Sequence, residues 1–221
     1  MTGDSLAAYR EKVDRELDAV FRRSFDLGFL GSMPIADQID HALGFVTILE
    51  AERGGPPASV IDLGTGGGVP GLVLASCWPD TKVVLMDANE RRTKFLQEAV
   101  DGWTGDVRAE VLRGRAEELG RTEQYRERFE AVTSRSFSVP AATAECGSSF
   151  LEVGGTMVIS EPPNLETTER WPVPGLRQLG LIPVITLRPL ERFGYQVLRK
   201  VDPVDDRFPR RVGIPVKRPI F

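Results

Sequence analysis

Histidine and cysteine are nearly absent from this chain: its 221 residues include one His, His41, and two Cys, Cys77 and Cys146. The thiols lie far apart and neither belongs to a CxxC, which argues against a disulfide framework and a thiolate zinc site; buried free thiols are the plainer reading, and no metal is expected. No stretch approaches ~20 uninterrupted apolar residues, and Met1-Thr2-Gly3-Asp4-Ser5 lacks a basic segment followed by an apolar one. A soluble, cytoplasmic protein without a membrane partner is therefore expected. Acidic residues are missing after Asp206, where Arg207, Arg210, Arg211, Lys217 and Arg218 crowd the tail.

That local absence shapes the charge map. From Arg188 to Phe221 nine Lys or Arg face four Asp or Glu, a net +5 that leaves −9 for residues 1 to 187 within the total of −4. A basic end on an acidic body can grip phosphates locally without making the whole protein a nonspecific nucleic-acid binder. The plain alternative is a solubilising tail. Against it stand Phe208-Pro209 and Val212-Gly213-Ile214-Pro215-Val216, whose apolar and proline content predicts a tail ordered against the rest of the protein. With 41% apolar residues the chain can bury one good core.

Val13, Leu17, Val20 and Phe21 recur at helical spacing, and Ile35, Ile39, Leu43, Val46 and Leu49 do so again after Pro34. Two amphipathic helices thus form an N-terminal helical extension over 1–57, closed by Gly54-Gly55-Pro56-Pro57, ahead of a domain over 58–221. There strands and helices alternate: strand 58 to 64, helix 70 to 78, strand 82 to 87, helix 90 to 101, and strands at 108 to 113 and 129 to 134. Such alternation implies right-handed crossovers and a parallel sheet. A helix near 139 to 150, a strand at 156 to 160, and strands near 184 to 189 and 194 to 201 complete it. The short turn Glu191-Arg192-Phe193-Gly194 favours an antiparallel final pair. The proline-rich piece at 162 to 174 reads as a loop.

The most informative stretch is Val60-Ile61-Asp62-Leu63-Gly64-Thr65-Gly66-Gly67-Gly68-Val69-Pro70-Gly71, followed by Lys82-Val83-Val84-Leu85-Met86-Asp87. A buried strand, a glycine-rich turn, a helix and a second strand ending in a carboxylate describe a nucleotide site at the carboxyl edge of a parallel sheet. Pro70 suits the first turn of the helix, and Asp87 is placed to hold ribose hydroxyls. Gly66-x-Gly68-x-x-Gly71 also satisfies the dinucleotide fingerprint, but two details favour S-adenosylmethionine. Asp62 could accept from the ammonium of a methionine moiety and would repel a pyrophosphate, and the glycine run is denser than a pyrophosphate turn needs. The bland reading makes Asp62 a cap of the turn and the glycines mere chain reversal. Seven strands ending in a hairpin, with this donor site, give an α/β, Rossmann-like class I methyltransferase with a mostly parallel sheet.

Methyl transfer from a sulfonium is an in-line displacement that needs donor and acceptor held close and collinear. His41, outside the glycine-rich region, reads as structural. No cysteine sits in a nucleophile motif, which points away from pyrimidine carbon methylation and toward an acceptor with its own lone pair, such as guanine N7. Glu161-Pro162-Pro163-Asn164 resembles an amino-methyltransferase signature only superficially and reads as a loop. Arg115-Ala116-Glu117 follows the third strand, where backbone amides meet adenine in this fold. Ser134-Arg135-Ser136-Phe137 ends the fourth, where the acceptor lies; each segment could equally be a solvated turn.

Together, Asp62-Leu63-Gly64-Thr65-Gly66 with Gly68-Val69-Pro70-Gly71, Gly114-Arg115-Ala116-Glu117, Ser134-Arg135-Ser136-Phe137, and the ending Phe208-Pro209-Arg210-Arg211-x-Gly213-x-Pro215-x-Lys217-Arg218-Pro219 resemble the bacterial 16S ribosomal RNA guanine-N7 methyltransferases, also called glucose-inhibited division protein B. The match runs from about residue 58 to the C terminus. The resemblance implies donor contacts at Gly64, Val69, Ala116, Glu117 and Arg135, alongside Asp62, Gly66 and Gly68 from the turn and Asp87 on the ribose. It implies 7-methylguanosine as product, with Arg115, Arg135 and the basic tail near the small-subunit RNA and Arg115 and Arg135 as the catalytic pair. A monomer acting on that RNA or on the small ribosomal subunit is expected.

The chain also departs from that pattern. Leu27-Gly28-Phe29-Leu30-Gly31-Ser32 stands where the family carries Trp-Asn and Asn-Leu-Thr, and His41 is kept without the Asp-Ser-Leu that follows it. Ser160-Glu161 replaces a Lys-Gly, setting an anion where the family has a cation. Two competing readings follow: the same fold acting on a small-molecule acceptor, or a noncatalytic paralogue that binds cofactor or RNA.

Overall fold

The computed structural model describes residues 3–105, 107–162, 170–187 and 192–221. The chain falls into two compact units, Met1–Arg113 and Gly114–Phe221, and the helical extension lies within the first. Among the described residues seven strands form, three in the first unit and four in the second. Among the described residues no helix is long and apolar enough to cross a membrane.

In the first unit, α1 (Gly3–Asp26) buries Val13, Leu17 and Phe21, spaced four apart so that they stack on one face, and leaves most of its other side chains exposed. The second helix, α2 (Ile35–Arg53), begins after Pro34 and ends at Gly54, whose φ of 79° lets its N–H reach back to the Glu50 carbonyl. Both pack on α3 (Gly71–Cys77). Polar ties fix the extension there: Lys12 Nζ donates to the Ser76 carbonyl at 2.6 Å, Ser76 Oγ to Glu16 at 2.7 Å, and Trp78 Nε1 to Glu50 at 2.8 Å. Strands β1 (Ser59–Leu63), β2 (Lys82–Asp87) and β3 (Ala109–Arg113) are parallel, with Asp62 beside Leu85 and Asp87 beside Arg113. Burial on both faces explains the unbroken apolar run Val83–Met86 of β2. Helix α4 (Glu90–Asp101) starts at Asn89, whose side chain accepts from Arg92 N.

The second unit contains α5 (Ala116–Leu119), β4 (Phe129–Ser134), α6 (Pro140–Phe150), β5 (Leu151–Glu161), α7 (Val173–Arg177), β6 (Leu181–Leu187), β7 (Gly194–Lys200) and α8 (Ile214–Lys217). The β4–β5 pair is parallel; β5–β7 and β7–β6 are antiparallel. Strand β5 begins five residues earlier than the sequence predicts. Its first part, Glu152-Val153-Gly154-Gly155, has no alternation, and the register against β4 slips between Phe129 and Ala131. Likewise β6 starts at Leu181 despite Pro183, tolerated because β6 ends the strand order and the ladder is interrupted there. The short helices α5, α7 and α8 were not anticipated, since four or five residues carry no helical period. Pro163, Asn164 and Glu191 of the expected loop and turn lie outside the described residues.

Candidate donor and acceptor residues

The glycine-rich turn leaves β1 with two carboxylates fixed against it. Asp62 is fully buried, and its Oδ2 accepts from Gly71 N, the first amide of α3, at 3.0 Å. Its negative charge thus meets the positive end of a helix. Asp87, buried at the end of β2, accepts from Gly66 N at 3.0 Å through Oδ2 and from Asn89 N at 2.8 Å through Oδ1, with Arg92 Nη1 at 3.5 Å. The loop is anchored further by Thr65 N on the Met86 carbonyl at 3.0 Å. A carboxylate offers about four acceptor positions.

The glycines divide into two groups by physical cause. Gly64, Gly66 and Gly68 have φ of 66°, 59° and 98°, a region that L side chains avoid. At Gly66 an added Cβ would make only ordinary van der Waals contacts, with the Gly64 and Phe29 carbonyl oxygens at 3.7 and 3.8 Å. At Gly67 a Cβ would lie 2.4 Å from Ser24 Oγ and 2.6 Å from Leu30, and at Gly71 it would lie 2.3 Å from Leu85. The density of the run therefore has an internal cause: Ser24 in the last turn of α1 and Leu30 beyond it pack directly on the turn. Ser24 Oγ donates to the Gly67 carbonyl at 3.0 Å, and Phe29 sets its ring edge-on to Phe95 of α4 at 5.6 Å. Sequence reading missed Ser24, Phe29 and Leu30; the signal available was the departure at Leu27–Ser32.

These residues fit an S-adenosylmethionine donor. Two buried carboxylates stand at the strand ends, and among the described residues the buried Thr65 Oγ1 has no hydrogen-bond partner. Val69 is buried just before α3.

In the second unit, Arg115 is exposed and precedes α5, Ala116 is buried, and Glu117 is half-buried. The Glu117 carboxylate does not stand alone: Oε1 accepts from Gly213 N in the C-terminal segment at 3.0 Å. That segment is ordered, as its composition predicts. Arg126 donates to the carbonyls of Val204 and Phe208 at 3.0 and 2.8 Å, and Arg121 to that of Arg207 at 2.9 Å. Of the five cations after Asp206, Arg210 turns inward onto the fully buried Glu145. Arg207, Arg211, Lys217 and Arg218 remain exposed.

Ser134 ends β4 beside Ile159 of β5, so Ser134-Arg135-Ser136 and Glu161 leave the same edge of that strand pair. Arg135 is half-buried, the Ser134 hydroxyl is buried without a hydrogen-bond partner, and Ser136 has a φ of 56°. Non-glycine residues seldom hold such a φ, and they cluster at functional sites. Glu161, the anion expected to disturb a phosphate ligand, is neutralised: Arg170 Nε donates to it at 2.8 Å and Trp171 Nε1 at 3.1 Å. His41 is buried on α2 with its ring 5.7 Å from Phe45. Burial pushes the Cys77 thiol up to about 12 and raises Cys146 well above its ordinary value, so neither is a ready thiolate.

A family model described as rRNA small subunit methyltransferase G (GidB) matches residues 37–166. The ribosomal RNA small subunit methyltransferase G of Pelotomaculum thermopropionicum is 33% identical over 187 residues, covering 82% of this chain and 78% of that one. Its counterpart in Moorella thermoacetica is 34% identical over 185 residues, covering 81% and 77%. Among solved structures, a Burkholderia thailandensis 1,6-didemethyltoxoflavin-N1-methyltransferase with bound S-adenosylhomocysteine superposes with a TM-score of 0.56 at 18% identity, over 84% of this chain and 89% of that one. That likeness is one of fold.

Proposed function

Because this chain belongs to the rRNA small subunit methyltransferase G family, we propose that it transfers the methyl group of S-adenosylmethionine to N7 of a guanine in 16S ribosomal RNA. The observation that carries the donor assignment is Asp87 at the end of β2, whose carboxylate accepts from Gly66 N in the glycine-rich turn. In this reading Gly64, Gly66, Gly68 and Val69 carry backbone contacts to the donor and Asp62 faces the methionine ammonium. Asp87 holds the ribose, and Ala116 and Glu117 meet the adenine.

When bound, S-adenosylmethionine supplies an electrophilic methyl on a sulfonium. The turn residues and Asp87 would hold that donor with its methyl in line with the acceptor lone pair at guanine N7. N7 carries a free lone pair at neutral pH, so no general base is needed. The raised thiols and the buried His41 are compatible with that economy. What remains for the chain is alignment. Arg135 orients the donor or the base, and Arg115 with Arg207, Arg211, Lys217 and Arg218 draws in RNA phosphates, the arginine fork suiting both tasks. Action in the cytoplasm, as a monomer, on the small subunit or its RNA completes the proposal.

Glu161 suggested a small-molecule acceptor instead, but its pairing with Arg170 removes that argument. The test is transfer of labelled methyl from S-adenosylmethionine to small subunits from a strain lacking this gene, with the modified base mapped. Incorporation at one guanine N7 is expected; none, with donor binding intact, refutes the assignment.

A further inference from the structure

We propose that Arg210, although it lies in the basic tail, is a positioning residue for the methyl donor and not an RNA contact. The inference rests on the reading above that Ala116 and Glu117 meet the adenine.

The geometry begins at Glu145, a fully buried carboxylate on the alanine-rich helix α6. A buried carboxylate is costly unless its oxygens are satisfied. Arg210 satisfies both: its backbone N donates to Oε1 at 2.7 Å, Nε reaches Oε1 and Oε2 at 3.0 and 3.1 Å, and Nη2 reaches Oε2 at 2.6 Å. Side chain and backbone are thus fixed together. Three residues on, Gly213 adopts a φ of 78°, and Ile214 N closes a turn on the Arg211 carbonyl at 2.9 Å. That turn aims the Gly213 N–H at Glu117 Oε1, 3.0 Å away. The Cys146 thiol registers the cluster: beyond its burial, Glu117 and Glu145 raise it and Arg210 lowers it. Arg210 therefore sets the position of Gly213, and Gly213 sets the carboxylate of Glu117. The guanidinium commits Nε and Nη2 to Glu145 and is one-quarter exposed, whereas Arg211 is exposed.

Two variants of the full chain separate the roles. Arg210→Lys keeps the charge and the backbone N–H bond but loses the guanidinium fork that reaches both carboxylate oxygens. The expected result is a donor KM raised about fivefold or more, with the RNA KM and the salt dependence of RNA binding unchanged. Arg211→Gln is expected to do the reverse, raising the RNA KM and lowering the salt slope by about one. An Arg210→Lys enzyme with wild-type donor KM, whether or not RNA binding weakens, overturns the proposal. Donor affinity is also measured by calorimetry without RNA, so a wild type that binds donor but methylates no guanine refutes the proposed function while still testing Arg210. Should Arg210→Lys not fold, amide exchange in the wild type decides: saturating S-adenosylmethionine is expected to slow the Gly213 amide at least threefold, and unchanged exchange sinks the idea.

Discussion

Replacing Gly71 by alanine puts one methyl group where the first unit has no room. Its backbone is not in the left-handed region, so the cost is packing alone. The new Cβ would lie 2.3 Å from Leu85 Cδ2, 2.9 Å from Asp62 Oδ2 and 3.0 Å from Thr65 Oγ1. Leu85 is fully buried on β2 and cannot swing aside. Overpacking of this kind costs about 1–3 kcal/mol. If the Asp62 carboxylate retreats, its bond to Gly71 N weakens, adding up to ~1.5–3 kcal/mol for a charged acceptor. The better helix propensity of alanine returns about 1 kcal/mol at most. The net expectation is a loss of ~2–4 kcal/mol, a large part of a typical ~5–15 kcal/mol, together with at least tenfold weaker donor binding. For stability Gly66→Ala is the comparison: its added Cβ would meet only ordinary van der Waals contact, and the positive φ resists at about 1–2 kcal/mol. Urea denaturation and calorimetric titration with S-adenosylmethionine measure both. A Gly71→Ala protein within about 0.5 kcal/mol of wild type, or one less affected than Gly66→Ala, would refute the assignment of Gly71 to close packing.

Arg135→Lys is expected to lower kcat/KM at least tenfold with charge retained, because a bidentate contact is lost; near-normal turnover would reduce Arg135 to electrostatic steering. Lys200 is fully buried, and burial lowers its pKa against the opposing pull of Glu127 at 2.9 Å. Lys200→Met strands that carboxylate, which is one-quarter exposed, so the expected destabilisation in urea is about 2 kcal/mol, below the 3–5 of a fully buried pair; a change under ~0.5 kcal/mol contradicts this. The Cys77 pKa is raised by burial from 9.0 to about 12. Its folded-state contribution is complete below pH 9 and is lost as pH climbs toward 12, about 1.4 kcal/mol by pH 10. Cys77→Ala should flatten that alkaline decline in thermal melts, and an unaltered decline would exclude Cys77 as its source. Neither thiol should react rapidly with a disulfide reagent in the native protein, while both should in urea.

The alternation from residue 58 to 134 was legible because each element there is locally consistent: β2, α4 and β4 fall on the residues that periodicity predicts. Legibility failed where tertiary pairing overrides local pattern. Leu151 joins a strand because Phe129 lies beside it, and Pro183 sits in one because β6 ends the strand order. The donor carboxylates were readable from position alone, since a strand end before a glycine turn is a local signal. Their hydrogen-bond commitments were not, because Asp87 reaches Gly66 across 21 residues and Glu117 reaches Gly213 across 96.

Charge counting misleads for the same reason. By composition Glu161 repels a phosphate ligand and Arg210 attracts one. In the folded chain Glu161 is an internal anion already matched by Arg170, and Arg210 is an internal cation already matched by Glu145. A buried ion pair adds little net field at the surface, because its two charges are seen from outside as a short dipole that solvent and salt screen within about a Debye length. The field that steers RNA must come from cations with an exposed face, which in the C-terminal segment are Arg207, Arg211, Lys217 and Arg218. Neutralising any one of these four should therefore lower the salt slope of RNA binding by about one, whereas Arg210→Lys should leave that slope in place and act instead on donor binding.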